Sequence, residues 1–467
     1  MCSWRASGVL ALLALALNGA VSAADASPIW SRFGRDAARS NRSPAATGIT
    51  AANVGGLERR QIALDGTVDS SPILAGGLVV MTTSYGKATA LDARTLRVRW
   101  RFTPPRYSSW AGSAQITNSS PVSDGRFVWS AAPDGRIYKL ALATGRPVGG
   151  PWPVAVTRLP QREKLGTALN LARGRLLVTT GGYVGDAPPY QGHVVAVDAG
   201  SGRIQGVFNA LCSERRTLQA PASCPESGAA IWARSGVVVD PTTGNLLVAT
   251  GDGKFDGRRY WGDSVLMLSP DARRLLQNWT PPTQAELDSG DVDLGSTAPA
   301  ILPGRLALQS GKDGRMRLLD LAKLSGHGAG PTTGGELQTL PTPDGNGLFT
   351  APAVSGRLVF VASGGATAGY RLDGRRLRLI WRVGTGGTSP VVAGGLLYVY
   401  DPGGGLDVYV SATGRLLARL PAGSGHWSSP IVADGRVYLP EGSANDHAQS
   451  GLLDVYSLRA AAPPTSG

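Results

Sequence analysis

From about residue 70 onward, short apolar runs alternate with glycine turns, and one phrase recurs along the chain. It runs small residue–proline, two apolar residues, a glycine-bearing turn, an apolar strand, another turn, and an apolar strand ending near aspartate. The turn and its strand read ILAGGLVVMTT (73–83), PVSDGRFVWSA (121–131), NLARGRLLVTT (170–180), VVDPTTGNLLVAT (238–250), AILPGRLALQS (300–310), AVSGRLVFVAS (353–363), VVAGGLLYVYD (391–401) and IVADGRVYLPE (431–441). These are eight copies. Ser71-Pro72, Ser120-Pro121, Ala298-Pro299, Ala351-Pro352, Ser389-Pro390 and Ser429-Pro430 open six of them. Glycine turns of this length join antiparallel strands, and β-branched and leucine-rich strands pack well sheet on sheet.

A single small sheet cannot bury both its faces; stacked radially, each sheet covers its neighbours. Most copies continue into third and fourth strands, as in KATALDARTLRVRW (87–100), GHVVAVDAGSGRI (192–204) and LDVYVSATGRLLARL (406–420). The pattern predicts an all-β chain: an eight-bladed β-propeller of four-stranded antiparallel blades over residues 53–458. Residues 24–52 are expected as an N-terminal extension and 459–467 as a disordered tail. The last copy ends at LLDVYSL (452–458), one strand short, while RRQIAL (59–64) is an orphan strand before the first copy. An N-terminal strand completing the last blade removes an open edge that would invite aggregation. Long insertions fall at Phe208–Gly228 and Thr280–Gly295, and insertions in repeats often project from one face and bind something.

Composition adds little to the fold and more to the location. Glycine (64) and proline (32) make up about a fifth of 467 residues, against a typical share near 12%; with apolar strands between them, they mark turns. Arg5, an apolar run from Gly8 to Ala20 and the small residues Val21-Ser22-Ala23 predict a cleaved secretion signal over residues 1–23. That run is too short to span a bilayer, and no later stretch is long and apolar enough. A periplasmic or secreted protein is expected, with no transmembrane segment and no lipid-anchoring cysteine after the run. With Cys2 removed, Cys212 and Cys224 are the remaining pair. They are read as a disulfide, with two buried free thiols as the alternative. The net charge is +13, carried mostly by scattered arginine. No basic helix or aromatic–basic module accompanies it, so nucleic acid is not expected as a partner.

The repeats resemble the pyrroloquinoline-quinone (PQQ) repeat across nearly the whole mature chain. The opening segment WSRFGRDAARSNRSPAATGITAANVGGL (30–57) looks like the start of the quinoprotein alcohol dehydrogenases. The same propeller is also similar to that of an outer-membrane assembly lipoprotein that holds no quinone. GAAIWARSGVVVDPTTGNLLVATGD (228–252) resembles the quinoprotein stretch with the tryptophan under the cofactor and a metal ligand. The resemblance implies Trp232 as a flat floor for the quinone and Asp252 as an oxygen ligand to calcium. Trp261-Gly262-Asp263-Ser264 looks like the segment carrying the general base, which implies Asp263 as proton acceptor. DSGDVDLGSTAPAIL (288–302) resembles the acidic segment that follows. QSGKDGRMRLLDL (309–321) implies Lys312 on the quinone oxygens, and Asp69-Ser70-Ser71-Pro72 implies Asp69 as an acid reaching the cofactor.

The chain also departs from that family. It has no adjacent cysteines, ITNSSPV (116–122) lacks the second-blade arginine, and the third-blade glutamate has no clear match, Tyr183 or Asp186 standing there instead. No Cys-x-x-Cys-His is present for a covalent haem. Taken singly, Asp252 and Asp256 suit turns, Asp291 and Asp293 suit loop caps, Trp232 suits a core and Lys312 a solvated turn. The four histidines lack metal-ligand spacing, and no dinucleotide or nucleophile-elbow motif occurs. Two functions follow. One is an exported oxidoreductase using PQQ and calcium on a small hydroxyl substrate. The other is a catalytically silent envelope scaffold that binds protein or glycan.

Overall fold

Eight antiparallel sheets follow one another along the chain, one for each copy of the repeat. The computed structural model describes residues 1–2, 30–44, 46–324 and 335–459. The expected signal segment from residue 3, and the expected tail from residue 460, lie outside the described residues. Blades 1 to 6 keep their strands in chain order; blade 3, for example, runs Asn170–Ala172, Arg175–Thr179, His193–Asp198 and Ile204–Asn209. The short first strands of neighbouring blades touch. They therefore ring the axis, and the fourth strands lie at the rim. Among the described residues the only α-helix is Gln284–Ser289, and no helix is long and apolar enough to cross a membrane.

The N-terminal closure is as expected, with a longer strand. Leu57–Leu64 pairs antiparallel with Gly451–Leu458, from Leu57 opposite Leu458 to Leu64 opposite Gly451, and forms the fourth strand of blade 8. Arg59 on this strand reaches Glu441 Oε1 (2.7 Å) and Asp454 Oδ1 (2.8 Å). The extension before it is an ordered strap. Trp30 and Leu74 exchange backbone hydrogen bonds at blade 1. Arg39 donates to the carbonyls of Ala168 and Leu169 at blade 3, and Asn41 to Ala351 and Pro352 at blade 6. Arg42–Ser43 then joins blade 7 as a fifth, parallel strand.

Blades adhere through apolar faces, and the Thr-Gly-Arg hairpins show how sequence serves packing. Trp100 of blade 1 donates its indole N–H to Leu142 O (2.7 Å) and lies over Gly145, where a Cβ would come within 2.5 Å of the ring. Trp381 of blade 6 repeats the contact with Ser411 O (2.9 Å) over Gly414. Both glycines have positive φ, +68° and +70°, so glycine is needed there for backbone and for space.

The insertion after blade 3 carries the expected disulfide, Cys212–Cys224. Asn209 ties it down by donating to Arg215 O (2.8 Å) and Thr217 O (3.1 Å). Asn209 Oδ1 is thereby left facing His193 Nδ1 (2.7 Å), whose Nε2 meets Glu163 Oε1 (2.9 Å).

Candidate functional site

The loops that join blades on one face converge on a cavity of about 350 Å³ at the ring centre. That is the lower end of the size range of ligand pockets. Its wall divides into an acidic half, from blades 3 to 5, and a cationic half, from the links around blades 2, 3 and 8.

The acidic half is built on close backbone approach. Asp252 follows the second strand of blade 4, and Asp293 lies in the insertion between blades 4 and 5. Asp293 Oδ1 accepts the Asp252 backbone N–H (2.8 Å). A Cβ on Gly251 would sit 1.9 Å from that oxygen, so glycine is what lets the carboxylate in. Lys312, in the turn after the second strand of blade 5, clamps Asp293 Oδ2 (2.5 Å) and Asp291 Oδ1 (2.7 Å). Asp252, Asp291 and Asp293 each offer an oxygen within 4.8 Å of the others, an arrangement able to hold a metal ion. Burial and the adjoining Asp293 carboxylate push Asp252 upward; Asp293, although buried, is held below the usual range by hydrogen bonds from Asp252 and Lys312. Asp186 also lines this side and is raised by burial.

Between the halves lies Trp232. It is half-buried, borders the cavity, and has Lys312 Nζ 5.8 Å from its ring centre. Phe349 links it to Trp427 through two tilted ring contacts, at 6.1 and 5.7 Å between ring centres.

The cationic half consists of Lys164 and Arg234, with Asn118, His426 and Trp427 around them. Arg234 stacks its guanidinium 4.2 Å from the Trp427 ring centre, and its buried Nε has no hydrogen-bond partner. Lys164 Nζ has no ion pair or hydrogen bond among the described residues. Burial and the neighbouring Arg234 lower Lys164 to about 7, and burial lowers Arg234 to about 9. Asp69 is the one acid that acts on both cations, and it is not within ion-pair distance of either; an anionic ligand would add the missing counter-charge.

The residues expected from the sequence divide accordingly. Trp232, Asp252 and Lys312 meet in the cavity, as do Tyr183 and Asp186. Asp263 does not line it. Its side chain is fully buried, Oδ1 accepts the Leu294 N–H (3.0 Å), and Oδ2 has no partner. Burial first, then Asp293 and Asp252, push it up to about 8. Asp69 is likewise enclosed. It accepts hydrogen bonds from Asn118 Nδ2 (2.7 Å), the Trp427 N–H (2.7 Å) and the Ala444 N–H (3.0 Å), and pairs with His426 Nδ1 (2.8 Å). It therefore orders the cavity wall from behind. Sequence reasoning missed Lys164, Arg234, His426 and Trp427 as site residues, since no local motif marks them, and read Asp291 and Asp293 as part of an acidic segment or as loop caps.

Comparison with known proteins bears on this arrangement. The dehydrogenase subunit of the quinone alcohol dehydrogenase of Acetobacter aceti is 26% identical over 269 residues, covering 50% of this chain and 35% of that protein. Quinohemoprotein alcohol dehydrogenase ADH IIB of Pseudomonas putida is 23% identical over 328 residues, covering 62% of this chain and 45% of that protein. The chain thus spans less than half the length of these relatives. The quinohemoprotein alcohol dehydrogenase of Comamonas testosteroni superposes with a TM-score of 0.70 at 17% identity, over 94% of this chain and 82% of that one. BamB of Moraxella catarrhalis superposes with a TM-score of 0.56 at 12% identity, over 87% of this chain and 99% of that one. The family model PQQ_2, described as outer membrane protein assembly factor BamB, matches residues 48–223 and 370–450. That match takes in more than half of the chain, which therefore belongs to the PQQ_2 family of β-propeller proteins.

Proposed function

We propose that this chain is a PQQ-dependent oxidoreductase that holds the quinone and a calcium ion in the ring-centre cavity and acts on a small hydroxyl compound. The observation that carries the reading is the meeting of Asp252, Asp291, Asp293 and Lys312 beside the half-buried Trp232 in one cavity. The residues fit the groups. Three carboxylates suit a hard cation, and Trp232 offers a flat ring to a flat quinone. The orphaned Arg234 Nε and the unpaired Lys164 match an acidic cofactor. When bound, the quinone would supply the hydride acceptor and the cation a Lewis acid.

The chain's own residues supply the proton chemistry. Proton abstraction needs a carboxylate that touches substrate and is ionised. Asp293 lines the cavity, where a substrate would sit, and Lys312 helps hold it ionised, so on this reading it is the candidate proton acceptor. The role expected of Asp263 passes to Asp293 on this reading. Asp263 becomes a positioning residue, fixing the Leu294 N–H and with it the Asp293 loop. Asp69 has the same standing on the opposite wall. Lys312 stabilises negative charge that develops beside Trp232. The Cys212–Cys224 disulfide supports work in a periplasmic or extracellular compartment.

A second reading, a scaffold for an envelope protein or glycan, is favoured by the BamB description of the matching family model. One titration separates the two. PQQ and calcium are added to purified protein while tryptophan fluorescence and melting temperature are followed. The oxidoreductase reading expects calcium-dependent quenching and a raised melting temperature. No response at high quinone concentration would overturn it in favour of the scaffold.

A further inference from the structure

Away from the ring centre, the rim between blades 3 and 4 carries a second kind of surface. A groove of about 810 Å³ is lined by Arg158, Arg216, Arg273 and Arg274, and an adjoining one of about 370 Å³ by Arg175 and Arg203. The two share Ile204, Gln205, Asp271 and Arg273, so they form one continuous channel along the outer strand Ile204–Asn209.

The arginines are positioned mainly by neutral partners. Arg158 Nε donates to Leu218 O (2.8 Å), Arg273 Nε to Gln205 O (2.6 Å), Arg175 Nε to Gln205 Oε1 (2.7 Å), and Arg216 to Arg273 O. Asp271 is the one carboxylate in the lining, and it lies 3.9 Å from Arg273 Nε. Among the described residues the other five arginines have no carboxylate within ion-pair distance. Some arginines elsewhere on the rim are neutralised, as where Arg419 pairs with Asp401 and Asp407, and Arg375 with Asp320. The channel thus gathers six guanidinium groups, four of them fixed by hydrogen bonds to neutral oxygens, around a single lining carboxylate.

Its floor narrows the choice of partner. Ile204, Val207 and Leu218 are aliphatic, and no aromatic side chain lines either groove. Sugar rings and nucleobases are usually gripped by aromatic platforms, and none is present. Aliphatic side chains fit the floor, and carboxylates fit the planar guanidinium fork. Strand addition is blocked, because Arg273 already occupies the Gln205 carbonyl and Asp271 O packs against Gly206, 1.9 Å from where a Cβ would stand. We infer that this channel is a docking surface for an acidic polypeptide segment in which carboxylates alternate with aliphatic side chains, read by side chains and not by the backbone.

The test uses the full chain and a fluorescein-labelled peptide of alternating glutamate and leucine, followed by polarisation. Arg203→Glu with Arg274→Glu reverses charge at two exposed positions whose side chains make no hydrogen bond or ion pair among the described residues. Arg97→Glu with Arg376→Glu makes the same change in net charge at exposed positions on blades 1 and 6. The expected result is saturable binding at low ionic strength that weakens about tenfold on adding salt. The channel pair should weaken it about tenfold or more at unchanged melting temperature, and the control pair should leave it within about twofold. Equal loss in both pairs, no binding at all, or tighter binding of polygalacturonate than of the peptide would overturn the inference.

Discussion

Two pairs of carboxylic acids lie side by side in this ring, each with a cation on at least one member, and of the two only the central pair lines the ring-centre cavity. In blade 8, Glu441 and Asp454 share Arg59, and burial with the adjoining acid raises Glu441. At the centre, Asp252 adjoins Asp293, which Lys312 clamps together with Asp291, and burial with the adjoining acid raises Asp252. In both places burial and a neighbouring carboxyl raise one acid of the pair. The difference lies in what surrounds it. Glu441 also accepts the Gly423 N–H and lines no part of the ring-centre cavity, whereas the central pair has a third carboxylate, an aromatic face and open space beside it. A paired buried acid is therefore no sign of chemistry until there is room for something to react.

The comparison can be broken most forcefully at Asp293. Asp293→Asn is expected to lower quinone-dependent dye reduction by about 10²- to 10⁴-fold with little change in melting temperature. Glu441→Gln should do the reverse, costing stability and sparing turnover. Next in size is Arg59→Ala, which strands two buried acids and should cost about 3–5 kcal/mol in urea unfolding; full stability in this variant would mean the clamp is idle. Cys212→Ser with Cys224→Ser should lose about 2–3 kcal/mol, seen as faster proteolysis at the insertion.

The most gradual effect, spread over about four pH units, concerns Asp263. Its carboxyl is pushed up to about 8, so the native state keeps a proton that the unfolded chain releases near pH 4. Stability should therefore fall as pH rises from about 4 to about 8 and level off above. Asp263→Asn cannot titrate and should flatten that fall by about 1 kcal/mol per pH unit, read as unfolding free energy at successive pH values. Identical slopes in both proteins would show that the group is ionised throughout.

The fold was legible because it is written in local signals repeated eight times. Each glycine turn and apolar strand needs only its own residues, and the orphan strand before the first copy had one vacant edge to fill. The strap of residues 30–44 was legible only as an extension, since its partners Leu74, Ala168 and Ala351 are far away in sequence. The site was half legible for the same reason. Trp232, Asp252 and Lys312 carried the mark of a resemblance. Lys164, Arg234 and Trp427 come from three separate links and meet only in space. Asp263 and Asp293 both look like acids in loops and both are buried, and only their placement in the folded ring, which no local pattern encodes, separates the one that faces the cavity from the one that braces it.

The closing strand also sets an order of events. Leu57–Leu64 waits for Gly451–Leu458, and Asp69 is 357 positions from His426, which it pairs with at the cavity wall. Contacts so distant along the chain carry the heaviest loop-closure cost and tend to form late. A refolding chain will therefore regain most of its sheet before it regains a complete ring centre. In time-resolved refolding, the far-ultraviolet signal should lead and the emission of Trp427 should trail, so competence to bind at the centre is the last property the molecule acquires.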